Sequence, residues 1–336
     1  MILLDTIELA KVGGTMEFNY YFDSFLKINY GIMNYSIGIA NGNKHYHYNV
    51  KEKEIYDLAS ITKLFTLNII YNLEKQNLIQ YNNYLADYID LPNLKNVTII
   101  DIIKMRGILR VDRKLSDTKT YEEFQETLRS VHIVDEESTE YNDIGFCLLG
   151  NLIEKVTGIS LEENFNNLFD TLDLQSTKVL PNHNYTILGN GNSLYLPNDL
   201  KTRINNGITG AAGVFSNVID LEKYARKIMN YEIFDKSFID NIFHYNFIDK
   251  ANRNRTYAGL YKYTDHYRSY VGKTYSIHTL AHQGYTGAVL LMDFESKIIN
   301  ILLFDAIEKD SKLKKDNFFD GYYLLQNKVE NLSREI

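Results

Sequence analysis

The residues best suited to chemistry are Ser60 and Lys63, in the run Ser60-Ile61-Thr62-Lys63. Behind them Leu64, Leu67, Ile70, Tyr71 and Leu78 recur at helical steps. On a helix, residues three apart stand one turn from each other on one face. Ser60 would then sit in the first turn, where unpaired backbone N–H groups point outward and the dipole favours negative charge. A serine so placed can act as a nucleophile, and its own N–H can help hold an oxyanion. A lysine pressed among apolar neighbours tends to give up its proton and can serve as a base. The spacing alone is common: it recurs at Ser24/Lys27, Ser116/Lys119 and Ser311/Lys314. The context of Ser60 sets it apart, with a strand-like Glu54–Leu58 before it and a long apolar helix after it.

A nucleophilic serine needs a proton relay and an oxyanion site. Tyr141-Asn142-Asp143 precedes an apolar helix from Gly145 to Val156 that stops at Gly158. A tyrosine at a helix entrance can reach into a cleft. Farther on, His282-Gln283-Gly284 leads into Tyr285-Thr286-Gly287 and a strand over Ala288–Asp293. Glycine there lets the backbone approach a ligand closely. An N–H just beyond it can complete an oxyanion hole with that of Ser60.

The elements that must position these groups can be traced along the chain. Residues 15–31 read as an amphipathic helix. Asn41-Gly42-Asn43 joins two strand-like runs, a strong hairpin signal. His45 and His47 share one face of the second strand, which reads as a solvated face rather than a metal site. From Ser60 to about residue 180 the helical period dominates. A Thr98-capped helix ends at Gly107, and further helices cover Tyr121–Val131 and Leu161–Leu172. Pro181 to Asn206 reads as loop, and Ile208–Ser216 as a small-residue loop before a helix capped by Asn217 and running to Met229. Tyr257–Tyr263, Thr274–Leu280, Gly287–Asp293 and Ile298–Phe304 read as strands, and 316–331 as a closing helix. The predicted fold class is α/β (α+β): one antiparallel sheet completed from both chain ends and flanked by terminal helices, with a mainly helical lobe inserted. We expect a single domain over 1–336, its α/β lobe formed by 1–58 and 208–336 and its helical lobe by 59–207.

Bulk properties narrow the classes. A net charge of −7 argues against nucleic acid or an anionic membrane surface as partner. Among 336 residues 45% are apolar, enough for a sizeable core. The single cysteine, Cys147, lies in an apolar stretch and reads as a buried structural thiol. No run reaches the roughly 18 apolar residues of a spanning helix, and the first twenty residues do not read as a leader. The expectation is a cytoplasmic protein.

Three segments together resemble one family. Asp57-Leu-Ala-Ser60-Ile-Thr-Lys63, Glu140-Tyr141-Asn-Asp143-Ile-Gly145 and Ala281-His282-Gln-Gly284-Tyr285-Thr-Gly287 follow the motif order of serine β-lactamases and penicillin-binding proteins. The histidine in the third resembles the class C β-lactamase-like branch, which includes D-alanyl-D-alanine carboxypeptidases, D-aminopeptidases and esterases. Gly210-Ala-Ala-Gly213-Val-Phe-Ser216 through Leu221 is similar to a recurring segment of that branch. The likeness runs from about residue 21 to 306.

The resemblance implies that Ser60 becomes the acyl-enzyme and that Lys63 and Tyr141 shuttle its proton. It implies that the N–H groups of Ser60 and Tyr285 hold the oxyanion, that His282 and Gly284 line the substrate pocket, and that no metal or organic cofactor takes part. The implied substrate is a small ester or a D-residue peptide. The alternative is a non-catalytic binding protein that keeps the pocket. Two departures bear on chemistry. Asp143 stands where the family usually has Asn; a carboxylate near Lys63 favours its ammonium and shifts the relay towards Tyr141, or else binds a cationic part of the substrate. His282 stands in place of Lys, and we expect activity to follow its charge between about pH 5.5 and 8. Lys104-Met-Arg106-Gly107 replaces a His-Thr-Ser-Gly-like segment, with Arg106 expected to face solvent.

Overall fold

The computed structural model describes residues 34–189, 195–250, 252–263 and 275–305, with residues 19, 20, 22–24 and 26 near the start and 329, 331, 332 and 334 near the end. Most of the predicted terminal helices, 15–31 and 316–331, therefore lie outside the described residues.

Strand β1 (Tyr35–Asn41) turns at Gly42 into β2 (Lys44–Tyr48), the predicted hairpin. A short β3 (Glu54–Asp57) leads to a 3₁₀ turn at Ala59–Ile61, which runs directly into α1 (Thr62–Lys75). Ser60 thus sits in the 3₁₀ turn and Lys63 in the first turn of α1. Next come α2 (Ile99–Ile103), β4 (Arg106–Arg110), α3 (Tyr121–Arg129), β5 (His132–Thr139), α4 (Ile144–Thr157) and α5 (Leu161–Leu172). Thr98 caps α2 in a reciprocal box with Asp101, and Gly158 ends α4 at φ 74°, both where the residue types predict. The β4–β5 pair interrupts the helical block and was not expected; its register is irregular at Arg106 and Ile108. Arg106 faces solvent at 56% exposure, as predicted.

Strand β6 (Lys178–Val179) lies just before the stretch read as loop, which itself holds β7 (Thr186–Leu188) and α6 (Leu200–Ile204). Strand β8 (Val214–Ser216) and α7 (Val218–Met229) follow, α7 capped by Asn217, whose side chain accepts the N–H of Asp220 at 3.0 Å. A helix α8 (Lys236–His244) and two short strands, β9 (Phe247–Ile248) and β10 (Asn254–Arg255), escaped prediction. The predicted strand over 257–263 is a 3₁₀ turn at Tyr257–Gly259 followed by a two-residue β11 (Tyr261–Lys262). The chain then forms β12 (Thr279–Gln283), β13 (Val289–Asp293) and β14 (Ile298–Phe304).

The main sheet has the order β2-β1-β14-β13-β12-β11-β10-β9, with every described pair antiparallel. Early and late strands meet at β1–β14, where Tyr35 pairs with Phe304 and Asn41 with Ile298. The side chains alternate as a pleat requires. Ile37, Ile39, Leu302 and Phe304 pack with Phe22, Leu26, Val329 and Leu332 on one face. Ala40, Ile301 and Leu303 join α7 and the large core on the other. A second sheet, β6-β8-β3-β7, ties the nucleophile segment to the 178–188 stretch. Among the described residues no single helix is long and apolar enough to cross a membrane.

His47 departs from the solvated-face reading. Its Nε2 lies 2.6 Å from the buried Glu222 of α7, and His45 stacks on it at 5.0 Å between ring centroids. The described residues hold no cluster of three or more His, Cys, Asp or Glu suited to a metal.

Candidate active site

The site is built from four places in the chain that meet over the start of α1. The first is the turn itself. Ala59 has φ 44°, a left-handed conformation that costs a non-glycine residue on the order of 1 kcal/mol. The buried carboxylate of Asp57 holds it there, accepting the N–H of Ala59 at 2.8 Å and that of Asn198 at 2.6 Å. Burial dominates at Asp57 and pushes its carboxyl up to about 7, against those two donors.

Lys63 is the centre. It is fully buried. Its ammonium donates to Ser60 Oγ at 3.1 Å and to the Ala211 carbonyl at 3.2 Å, and lies 2.7 Å from Asp143 Oδ1. The first two are hydrogen bonds; the third is an ion pair, and Asp143 Oδ1 has no aligned hydrogen-bond donor. Burial works against the charge, yet Asp143 and then Tyr141 outweigh it and lift the Lys63 pKa above its ordinary value. The small residues at 210–214 let this loop close on α1. The Gly210 carbonyl accepts Thr66 Oγ1 at 2.8 Å, and the N–H of Val214 donates to Thr62 Oγ1 at 3.2 Å.

The second place is the entrance to α4. Asp143 is the residue before that helix, and Tyr141 lies two residues earlier. The side chain of Asp143 is 31% exposed as a whole, but its Oδ1 is out of contact with solvent. Its other oxygen, Oδ2, lies 2.9 Å from Lys201 on α6. Lys201 in turn pairs with Asp199, the residue that caps α6. Burial would raise the Asp143 carboxyl, but Lys63 and Lys201 outweigh it and hold it well below the usual carboxylate range.

The third place is the 3₁₀ turn after β10. The ring of Tyr141 stands between two cations, with Lys63 Nζ 5.1 Å and the Arg255 guanidinium 4.3 Å from its centroid. Arg255 is buried, paired with Asp249 at 2.6 Å and stacked on Tyr261 at 4.1 Å. Gly259, at φ 74°, gives the ring its room: a Cβ there would lie 2.3 Å from Tyr141 Cε2.

The fourth is β12 and the turn beyond it. A Cβ on Gly284 would lie 2.5 Å from the Leu58 carbonyl, so this turn rests directly on the nucleophile segment. Thr286 Oγ1 donates to the Asp57 carbonyl at 2.8 Å. Tyr285 follows with its side chain largely exposed. His282 is the residue whose expected behaviour needs correcting. It is 1% exposed, with Nε2 3.1 Å from the Ala258 carbonyl and Nδ1 3.2 Å from the Gln283 carbonyl. Burial, then the charges of Lys63 and Arg255, push its pKa down to about 3. It is therefore neutral throughout pH 5.5 to 8, and its titration cannot drive activity in that range. A neutral imidazole has one N–H and serves one of its two carbonyl neighbours at a time.

Ser60, Lys63, Tyr141 and Asp143 thus meet in one set of contacts, with His282 bonded to the Ala258 carbonyl and Gly284 resting on Leu58 beside them, followed by Tyr285. Asp143 is not left free for a cationic substrate, because both its oxygens face lysines. Sequence reasoning missed Lys201, Arg255, Gly259 and the role of Asp57. Lys201 lies in a segment read as loop, Gly259 in one read as strand and Arg255 in one given no reading, and no spacing flags them. Cys147 is buried with its thiol pushed up to about 12 by burial, consistent with a structural role. A cavity of about 390 Å³ lined by Glu52, Lys178, Tyr185 and their neighbours lies elsewhere and contains none of these groups.

Residues 19–320 match the family model described as Beta-lactamase. The chain belongs to the beta-lactamase family. This family member is 24% identical over 259 residues to a teichoic acid D-alanine hydrolase of Staphylococcus aureus (strain MRSA252), a match spanning 69% of the chain and 61% of that relative's length. In structure it is similar to a D-amino acid amidase from Ochrobactrum anthropi SV3, with TM-score 0.74, 15% identity and 95% and 99% of the two chains covered. It is also similar to a class C beta lactamase from Rhodobacter sphaeroides, with TM-score 0.69, 15% identity and 94% and 99% covered. The expected family and the β-lactamase-like fold are both borne out. Its relatives are serine hydrolases of this fold.

Proposed function

We propose that the protein is a serine hydrolase that forms an acyl-enzyme on Ser60, with a small ester or a D-amino-acid-containing peptide as substrate. The observation that carries this reading is the contact of Ser60 Oγ with the buried Lys63 ammonium inside a cluster that also holds Tyr141 and Asp143. Ser60 attacks the acyl carbonyl. Lys63 keeps its proton under the influence of Asp143, so it orients the serine and stabilises negative charge on Oγ. Tyr141 relays the serine proton to the leaving group and later relays a proton from the deacylating water back to Ser60 Oγ as the acyl group is released. The N–H groups of Ser60 and Tyr285 hold the oxyanion, a role supported by the close rest of Gly284 on Leu58. The neutral His282 gives a substrate carboxylate little charge to meet, which favours esters and D-aminoacyl groups over β-lactams. The names of the hydrolase and amidase relatives point the same way.

The test is a panel of D-alanyl and L-alanyl esters, D-amino-acid amides and nitrocefin, read beside the intact mass after a fluorophosphonate. We expect a single adduct, with D-alanyl ester turned over faster than its L-isomer and faster than nitrocefin. Ligand binding with neither adduct nor turnover would instead favour the non-catalytic binder.

Gly259→Ala checks the placement of Tyr141 independently. The new methyl group meets the phenol ring at 2.3 Å from Cε2, and the left-handed backbone there adds strain. Relieving that contact moves the ring by about 1 Å, a misplacement that lowers turnover by about 10²-fold. Circular dichroism should still show a folded chain. Unaltered kcat would mean that the ring position has no bearing on the reaction.

A further inference from the structure

We infer that Lys201 is a positioning residue for the Ser60 site, acting through Asp143: it supplies the second positive charge that lets a carboxylate stand against Lys63 without claiming that ammonium for itself. The inference rests on the reading of Ser60 as nucleophile.

The geometry is an alternating chain of charge leading out of the core. Lys63, fully buried, meets Asp143 Oδ1 at 2.7 Å; Asp143 Oδ2 meets Lys201 at 2.9 Å; Lys201 meets Asp199, which is 23% exposed. Each carboxylate oxygen of Asp143 has its own lysine, so the group is held by ion pairs at two points. Two positive and two negative charges sum to zero, which suits a site with little water to screen an excess. Without Lys201, Asp143 would have Lys63 as its sole counter-ion, and the attraction would draw the ammonium from Ser60 towards the carboxylate. With Lys201 present the carboxylate is shared. Lys63 then keeps its 3.1 Å contact to Ser60 Oγ as well.

Lys201 is also fixed from its own side of the site. It lies on a five-residue helix whose cap, Asp199, also accepts the N–H of Lys201 at 3.0 Å. That anchors backbone and ammonium to one carboxylate. The next strap is the N–H of Asn198 on Asp57, which ties the same segment to the nucleophile turn at 2.6 Å. Helix α6 is thereby fastened to both sides of the site.

An amide at position 143 carries no charge and needs no second cation. The dependence on Lys201 should therefore vanish when Asp143 becomes Asn. The experiment measures the rate at which a fluorophosphonate labels Ser60 in wild type, Lys201→Met, Lys201→Arg, Asp143→Asn and the double variant Asp143→Asn/Lys201→Met, with melting temperature as a check on folding. We expect Lys201→Met to slow labelling about tenfold in the wild-type background, Lys201→Arg to recover most of the rate, and Lys201→Met to change the rate less than about twofold once Asp143 is Asn. Equal slowing in both backgrounds, or none in wild type, overturns the role of Lys201. A role in stability alone would lower the melting temperature in both backgrounds without this coupling, and also counts against it. Labelling that persists in Ser60→Ala overturns the nucleophile, and this inference with it.

Discussion

Ser60→Ala lowers turnover of any acyl substrate by about 10³-fold or more and removes the fluorophosphonate adduct, while the fold persists. The size of the effect follows from the neighbours. Two other hydroxyls lie within one turn of Lys63, and both are engaged. Thr62 Oγ1 accepts the N–H of Val214, and Thr66 Oγ1 donates to the Gly210 carbonyl. Neither can replace the missing nucleophile. The loss to stability should be modest, about 1–2 kcal/mol, since Lys63 gives up one of its three oxygen partners and keeps the other two. Steady-state kinetics, intact mass and thermal melting of the same preparation check all three statements. Turnover within tenfold of wild type would place the chemistry elsewhere.

The second large effect is on stability against pH, and it comes from two buried groups with opposite slopes. His282 has its pKa depressed from 6.5 to about 3, so the folded protein refuses a proton that the unfolded chain accepts. Its contribution is complete above about 6.5 and is lost as pH falls. Asp57 has its pKa raised from 3.8 to about 7. The folded protein keeps a proton that the unfolded chain releases, so its contribution is complete below about 3.8 and is lost as pH rises through 7. Each slope is about 1.4 kcal/mol per pH unit. Between about pH 4 and 6.5 they oppose each other and nearly cancel. Substituting either residue unmasks the other. In Asp57→Asn, stability should fall by about 1.4 kcal/mol for each unit of acidification relative to wild type. In His282→Gln it should fall by the same amount for each unit of rising pH. Urea unfolding at pH 4.5, 5.5 and 6.5 measures the slopes; other ionisable groups contribute alike to all three proteins. Parallel curves for the variants and wild type would rule the pair out.

The legible parts of this molecule were those in which short-range pattern and long-range role coincide. Ser60 with Lys63, Tyr141 with Asp143 and His282 with Gly284 are each a local cluster, and the chemistry of a serine nucleophile accounts for all three at once. Helices α4, α5 and α7 announced themselves by apolar period, and α4 and α7 also by caps at Gly158 and Asn217. What escaped was decided by distant partners. Strand β4 follows Met105 in a left-handed conformation and is broken by register shifts, so no regular alternation marks it. Tyr257–Tyr263 has the alternation of a strand, yet Ala258 and Gly259 turn left-handed, where Ala258 offers its carbonyl to His282 and Gly259 makes room for Tyr141. Lys201 lies in an Asn- and Gly-rich stretch, and nothing nearby shows that a carboxylate from another helix needs it. Burial decided His282: its residue type suggests a group that titrates near neutrality, and the apolar surroundings and two neighbouring cations remove that property.

The pairing of β1 with β14 has a consequence for how the polypeptide is made. A ribosome delivers Tyr35–Asn41 long before Ile298–Phe304, yet these strands lie side by side in the sheet. Closing so long a loop is entropically late. During synthesis Ile37 and Ile39 must wait without Leu302 and Phe304 of β14, which later extend their apolar face, and without Val329 and Leu332, which pack on it. The nascent hairpin is thus the stretch that most needs shelter from other sticky chains, until the last strand arrives and locks it in place.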